Sequence, residues 1–125
     1  MRRAATVPGG IAVGLATLAL PTWGHHSHAN YRTTEWAYLE GTVTEVHWMN
    51  PHTWIFLEVI DADGEAHIWA LEGASPTELR ADGWARDDVK VGDHIKARCH
   101  RLFDGSNGCL LGFLTPQDGV EKEYD

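Results

Sequence analysis

Two histidines and two tryptophans are concentrated between Glu45 and Trp54, which reads Glu-Val-His-Trp-Met-Asn-Pro-His-Thr-Trp. His47 and His52 stand on either side of Asn50-Pro51, where proline fixes its own φ, lacks a backbone donor and restricts the preceding residue. The segment therefore predicts a corner between two strands with one imidazole on each side. Histidine is the commonest metal ligand among side chains, so this spacing is consistent with a metal site. The alternative is that both rings only pack beside the indoles.

The first 24 residues have the layout of a secretory signal peptide. Arg2 and Arg3 form a basic start, an apolar segment runs from Ile11 to Leu20, and small residues precede a cleavage point after Gly24. The apolar segment is too short to span a bilayer. We therefore expect a signal peptide over 1–24 and a single domain over 25–125, periplasmic or secreted by a bacterium, without a membrane span after processing. An uncleaved anchor is the alternative.

Cleavage at that point changes the chemistry of the His-His-Ser-His segment that follows. His25 would become the first residue and offer both its amine and its ring, a chelate that suits Cu(II), which heads the divalent affinity order and favours tetragonal nitrogen ligands. A further imidazole from His26, His47 or His52 would complete a three-nitrogen site. A cut one residue later would instead place His28 third, the spacing of amino-terminal copper and nickel sites. The alternative is a solvated polar terminus.

The charge balance argues against nucleic acid as a partner. The chain carries 18 acidic and 10 basic side chains, for a net charge of −8 with neutral histidine, and loss of 1–24 removes two arginines and no acid. Such a domain repels nucleic acid and anionic lipid, while it attracts cations. No Gly-x-Ser-x-Gly, P-loop or His-Glu-x-x-His motif is present. The patterns name no reaction, and they favour a binding protein over an enzyme.

The tryptophans support a second hypothesis. Six tryptophans are many for 125 residues, and core packing accounts for some of them. An exposed pair made of Trp48 and Trp54, with Asn50 beside it, would form a stacking platform for a sugar or another small molecule. A non-enzymatic small-molecule or oligosaccharide-binding module is therefore the second hypothesis. A structural accessory module is the third.

The elements that position these residues follow from periodicity and turn chemistry. Residues 25–37 are predicted to form an extended arm that packs through Tyr31 and Trp36. Alternating apolar residues predict five strands, over 38–48, 53–60, 65–72, 94–103 and 109–115. Ser75 and Glu78 form a capping box around Pro76, which predicts a short helix ending at Gly83.

The order of three strands, a helix and two strands predicts an all-β fold, a small five-stranded OB-like Greek-key barrel with one short helix. A two-sheet sandwich is the alternative. Gly41 is expected to mark a bulge or a close backbone approach, and the polar tail from Pro116 is expected to fray.

Cys99 and Cys109 are the only cysteines. They fall opposite each other in a simple hairpin, so export favours a cross-strand disulfide, worth on the order of 3 kcal/mol in the chain-entropy model. A thiolate metal pair is the alternative. Glu72, at the end of the third strand, is a candidate oxygen ligand or a group that orients a ligand. The remaining histidines, His67, His94 and His100, are expected on the surface or in packing roles.

The chain also resembles a family of small exported bacterial proteins described as a domain of unknown function. The residues that carry the resemblance are the His-His-Ser segment, Gly41-Thr42-Val43, Trp48 to Trp54, Ser75-Pro76, Gly83-Trp84 and Val91-Gly92-Asp93. The resemblance implies a periplasmic β-barrel domain with no established activity. Its His-His-Ser start and Asn-Pro-His turn match His25, His26, Ser27, Asn50, Pro51 and His52. The two cysteines are not part of its pattern.

The leading hypothesis is therefore a periplasmic metal-binding protein that prefers copper and serves metal handling or an accessory redox task. Its candidate ligands are the arm and turn histidines His25, His26, His28, His47 and His52. A periplasmic or membrane-bound protein is the expected partner besides the metal ion.

Overall fold

A computed structural model describes residues 27–125, and its strands close into a barrel. The strands are β1 (Ala37–His47), β2 (Trp54–Ile60), β3 (Ala66–Glu72), β4 (His94–Arg101), β5 (Gly108–Thr115) and β6 (Lys122–Glu123). The helices are α1 (Pro76–Ala81) and two 3-10 turns, Ser27–Asn30 and Arg86–Asp88.

The first five strands form the barrel in the order β1-β2-β3-β5-β4. Neighbours pair antiparallel except β3 and β5, whose parallel pairing closes the barrel, while β1 joins β2 to β4. Helix α1 lies in the connection between β3 and β4. The predicted small all-β barrel with one short helix, built as in OB-type folds, is confirmed. Between residues 27 and 125, no helix is long and apolar enough to cross a membrane.

Strand β1 pairs with two neighbouring strands. Its first half pairs with β4 and its second half with β2, and both ladders include Thr42. At Gly41, a Cβ would overlap the carbonyl oxygen of Glu58, so only glycine permits this approach. A register shift between Val43 and Glu45 adds a bulge. The close approach predicted at Gly41 is confirmed, and the bulge lies just after it.

The barrel interior contains the inward residues of all five strands. Ile55 and Leu57 of β2 and Leu71 of β3 are fully buried, which the alternating pattern of β2 predicts. Helix α1 contributes Leu79, and its capping box is formed as predicted: Ser75 Oγ accepts from the Glu78 amide at 3.3 Å, and Glu78 Oε2 accepts from the Ser75 amide at 3.0 Å.

The predicted disulfide is present, although its register differs from a simple hairpin. Cys99 and Cys109 are bonded and fully buried, with their Cα atoms 5.6 Å apart. A bulge after Arg98 shifts the pairing, so Cys99 faces Leu111 and Cys109 faces Arg101. The bridge therefore runs diagonally inside the core and does not join directly opposed residues.

The prediction that the tail frays is wrong. Tyr124 is 2% exposed and packs edge-on against Trp84, with ring centroids 4.7 Å apart. Its amide donates to Gly112 O and its carbonyl accepts from Ala74 N, while β6 pairs with β5. One buried aromatic side chain and these backbone bonds hold a segment whose polar composition indicated disorder.

Candidate metal-binding site at the Asn-Pro-His turn

A row of three side chains crosses the outer face of the barrel at the end nearest the turn. His47 of β1 pairs directly with Trp54 of β2, and Trp54 pairs directly with Glu72 of β3. Directly opposed residues share one face of a sheet, and the neighbouring Ile55 and Leu71 point into the core. The row therefore lies outside the barrel, where solvent would ordinarily surround a carboxylate.

Glu72 is nevertheless buried, because the N-terminal arm lies over it. Its exposed fraction is 4%, and Glu72 Oε2 accepts a hydrogen bond of 2.6 Å from the hydroxyl of Tyr31, itself 6% exposed. Burial and this hydrogen bond raise the pKa of Tyr31 well above its ordinary value of about 10. Leu110, the partner of Glu72 on β5, is buried as well, although it is not part of the core cluster.

His52 lies on the other side of the Glu72 carboxylate. Its Nδ1 is 3.2 Å from Gly73 O and 3.6 Å from Glu72 Oε1. A carbonyl oxygen only accepts, so Nδ1 carries the hydrogen and Nε2 of the neutral ring keeps its lone pair. The ring is partly exposed, at 27% of its side-chain surface. His52 thus has one nitrogen fixed by the protein, as metal-ligating histidines do, and its Nε2 makes no hydrogen bond to the described residues 27–125.

The other histidines with ring hydrogen bonds have exposed partners. His47 Nε2 is 2.9 Å from Glu45, His67 Nε2 is 2.8 Å from Asp61, and His94 Nε2 is 2.9 Å from Glu40. The side chains of these carboxylates are between 36% and 61% exposed, against 5% for Glu72. His100 donates from Nδ1 to Glu35 O at 2.7 Å and stacks on Trp36. Of all the histidines with ring hydrogen bonds among the described residues, only His52 faces a buried carboxylate.

The two histidines of the turn have separate partners. The ring of His47 packs against Phe56, with centroids 5.2 Å apart, and bonds to Glu45 on its own strand. His52 faces β3 instead. The peptide bond between Asn50 and Pro51 is cis, and both residues are exposed.

Of the predicted ligands in the arm, the structure describes His28 alone. It is exposed in the 3-10 turn before Tyr31, and its carbonyl accepts from the Tyr31 amide at 3.1 Å. His25 and His26, like the predicted signal peptide, lie outside the described residues. The arm from Asn30 to Arg32 is fixed to the barrel. Asn30 O accepts from Phe103 N at 2.9 Å, Arg32 N donates to Arg101 O at 2.8 Å, and Tyr31 forms a bridge with Leu102.

The predicted platform tryptophans are half-buried. Trp48 packs against the core and lies under Arg80, whose guanidinium is 5.7 Å from the ring centroid. Within residues 27–125, Trp48 Nε1 and Thr53 Oγ1 are buried atoms without a hydrogen-bond partner. The tryptophan with the greatest exposure in this region is Trp36, at 44%.

Comparison with protein-family models identifies the family of the chain. A model described as a family of unknown function, DUF6152, matches residues 12–111. The chain belongs to this family. In this DUF6152 member, the matched segment includes Tyr31, His52 and Glu72. No curated protein matches the chain, and no solved structure matches it.

A second group of potential ligands lies at the opposite end of β2 and β3 in this DUF6152 chain. Asp61, Glu65 and His67 have ligand atoms within 4.8 Å of one another. Asp61 Oδ1 already accepts from the amides of Asp63 and Glu65 at 2.9 Å each, and Asp61 Oδ2 bonds to His67. These bonds close the Asp-Gly hairpin turn, which accounts for the grouping. His67 has the surface role that the sequence predicts.

A surface cavity of about 660 Å³ lies apart from the predicted site. It is lined by residues that include Trp84, Asp87, Asp88, Asp93, Asp118 and Lys122. The Lys122 ammonium is 4.0 Å from the centre of the Trp84 ring and covers it. No residue of the Asn-Pro-His turn lines this cavity. The cavity is therefore not evidence for a ligand-binding site at the turn.

The sequence predicts His52 and Glu72 as candidate site residues, and for Tyr31 it predicts a packing role and not the hydrogen bond to Glu72. The signal for Tyr31 in the sequence is weak, since 41 positions separate it from Glu72. The one indication in the sequence is that Tyr31, an aromatic residue with a hydroxyl group, follows the potential metal-binding residue His25 by six positions.

Proposed function

We propose that this protein is an exported metal-binding protein that prefers copper, with a site formed between the N-terminal arm and the Asn-Pro-His turn. His52 is the ligand from the turn. The arm supplies the remaining nitrogens from the amine and ring of His25 or from His26 and His28, and His47 belongs to the same set of candidates. Metal handling or an accessory redox task with a periplasmic or membrane-bound partner is the corresponding role.

The observation that carries this proposal is the contact from the arm to the turn through one carboxylate. Tyr31 OH and His52 Nδ1 lie on opposite oxygens of Glu72, at 2.6 and 3.6 Å. His25 lies only two positions before the 3-10 turn Ser27–Asn30, which leads directly into Tyr31. The backbone hydrogen bonds of Asn30 and Arg32 hold this end of the arm on the barrel.

Electrostatics at the turn favour a cation. Glu72 places negative charge inside the protein, where water screens it less than on the surface. The net charge of −8 adds a general attraction for cations. A metal bound at His52 Nε2 would compensate the buried carboxylate through the imidazole.

Copper is preferred because of the donor set. An amine, its own imidazole and a second imidazole are nitrogen ligands, and Cu(II) binds such sets more strongly than the other divalent first-row ions. The cysteines are not available as thiolates, since both are in the disulfide. The described site therefore offers nitrogen and oxygen donors.

The test is a Cu(II) titration of processed protein without a tag, after its intact mass has fixed the first residue. His52→Ala should weaken binding at least tenfold. His94→Ala is the matched control, since it removes an exposed imidazole that bonds to an exposed carboxylate. Equal losses in both variants, or no loss in either, would contradict a site at the turn.

A small-molecule or oligosaccharide-binding module remains the second candidate, supported by the unpartnered Trp48 and Thr53 atoms beside the turn. Its support is weaker because both atoms are buried and Trp48 is engaged by Arg80. Trp54→Ala distinguishes the two functions. It should abolish binding to a stacking site and change copper affinity little.

A further inference from the structure

We infer that Glu72 and Tyr31 are positioning residues for the metal site, acting in series on the imidazole of His52. The inference rests on the proposed function and deepens it. Tyr31 holds one oxygen of the Glu72 carboxylate, the other oxygen faces His52 Nδ1, and the ring is thereby set with Nε2 as its free ligand atom. The arm would thus supply metal ligands and also fix the ligand of the turn.

The first step is the placement of the carboxylate. A hydroxyl-to-carboxylate bond of 2.6 Å is in the short range of charge-assisted bonds. This bond fixes Oε2 of Glu72. The pairing of Glu72 with Trp54 at the end of β3 fixes the backbone of Glu72. With both held, Oε1 is directed towards the turn rather than free to rotate into solvent.

The second step is the choice of the ring nitrogen that carries hydrogen. Two acceptors face His52 Nδ1, the carbonyl of Gly73 at 3.2 Å and the Glu72 carboxylate at 3.6 Å. The carbonyl makes the hydrogen bond, while the carboxylate is beyond hydrogen-bond distance and acts through its charge. Both favour hydrogen on Nδ1 and leave electron density on Nε2. Negative charge behind a ligating imidazole raises its basicity towards a metal.

The third step compares the Glu72–His52 pair with an exposed pair of the same two residue types, Glu40 and His94. Glu40 and His94 make a shorter contact of 2.9 Å, yet both side chains are more than half exposed. Water screens such a pair, and the side chains retain rotational freedom. The same two residue types therefore serve as an internal control, since burial and the Tyr31 bond are present only at Glu72.

The experiment has two readouts, and one of them needs no metal. Long-range 1H–15N correlation of the imidazoles in metal-free, ¹⁵N-labelled protein at neutral pH reports which nitrogen of His52 carries hydrogen. Cu(II) affinity is measured on the same samples. The variants are Glu72→Gln, which keeps the shape and removes the charge, Tyr31→Phe, which removes only the hydroxyl, and Glu40→Gln as the matched control.

In the unmodified protein, His52 should carry its hydrogen on Nδ1. Glu72→Gln should produce a detectable Nε2–H form and weaken copper by about 10- to 100-fold. Tyr31→Phe should change both readouts in the same direction and by less, and Glu40→Gln should change neither. Hydrogen on Nε2 in the unmodified protein would overturn the inference, and so would an unchanged tautomer with unchanged copper affinity in Glu72→Gln.

The two readouts also separate this inference from the proposed function. If the processed protein binds no copper, the proposed function fails, and the tautomer alone decides the inference. A shift of the His52 hydrogen in Glu72→Gln would then support positioning, and no shift would refute it. If copper binds and depends on His52 but neither readout responds to Glu72→Gln, the function stands and the inference fails.

Discussion

The hydroxyl of Tyr31 donates to Oε2 of Glu72 at 2.6 Å, and this bond joins residues 41 positions apart. It buries a carboxylate on the outer face of a barrel and ties the N-terminal arm to the strand beside the Asn-Pro-His turn. The same carboxylate faces His52 at 3.6 Å. One hydrogen bond therefore connects the N-terminal arm with the carboxylate that faces His52, the proposed ligand of the turn.

Tyr31→Phe should destabilise the fold, because it leaves the buried Glu72 carboxylate without its donor. The cost of an unsatisfied buried group is about 1–3 kcal/mol, and urea denaturation measures it. Tyr38→Phe is the control, since Tyr38 is 71% exposed and surface substitutions cost about 0.5 kcal/mol or less. Equal effects in the two variants would show that Tyr31 contributes no buried bond.

Alkaline pH should destabilise the protein through two tyrosines. Burial, assisted by Glu72, raises the pKa of Tyr31, and burial, assisted by Asp88, raises the pKa of Tyr124. An unfolded phenol ionises near pH 10, so stability is fully retained below that value and falls as pH rises from there towards the raised folded values. Denaturation between pH 8 and about 11 measures this slope. Tyr31→Phe and Tyr124→Phe should each reduce it.

Tyr124→Ala should lower the free energy of unfolding by about 3–5 kcal/mol, the usual cost of truncating a buried aromatic residue. Tyr124 fills space beside Trp84, and its backbone joins the tail to the barrel. Val120→Ala, at a position 75% exposed, is the control and should change little. A frayed tail would make both substitutions neutral.

Replacement of both cysteines by alanine should lower stability by on the order of 3 kcal/mol and leave copper affinity unchanged. Cys99 and Cys109 lie in the core and not at the turn. Alanine is used instead of serine because serine would bury an unpaired hydroxyl. A loss of copper binding in a folded double variant would instead restore the thiolate interpretation. Alkylation of the purified, denatured protein should find no free thiol.

Local patterns predicted the parts of the fold that depend on local physics. Ile55 and Leu57 alternate with half-buried residues, so the strand and its inward face followed from period 2. Ser75 and Glu78 form a capping box within one turn, and their spacing alone indicated the helix start. The expected export of the chain predicted the disulfide. The bulge after Arg98, which shifts the pairing of β4 with β5, has no recognisable pattern in the sequence.

Contacts between distant segments were not predictable. Tyr124 stands in a polar tail, and nothing near it in the sequence indicates that Trp84 packs against it. Tyr31 reaches Glu72 only because the barrel closes through β3 and β5 and the arm crosses that seam. Composition and spacing located the candidate ligand His52, whereas the tertiary fold determined which carboxylate faces it.

The most direct test compares Cu(II) affinity between protein that begins at His25 and protein that begins at Thr22, with no tag on either. The three extra residues remove the amine from the chelate with the His25 ring, and they place no histidine second or third in the chain. They change no residue between 27 and 125. We expect the form beginning at His25 to bind copper at least tenfold more tightly, and His52→Ala to remove most of this difference. Equal affinity of the two forms, with no effect of His52→Ala, would contradict a copper site between the arm and the turn.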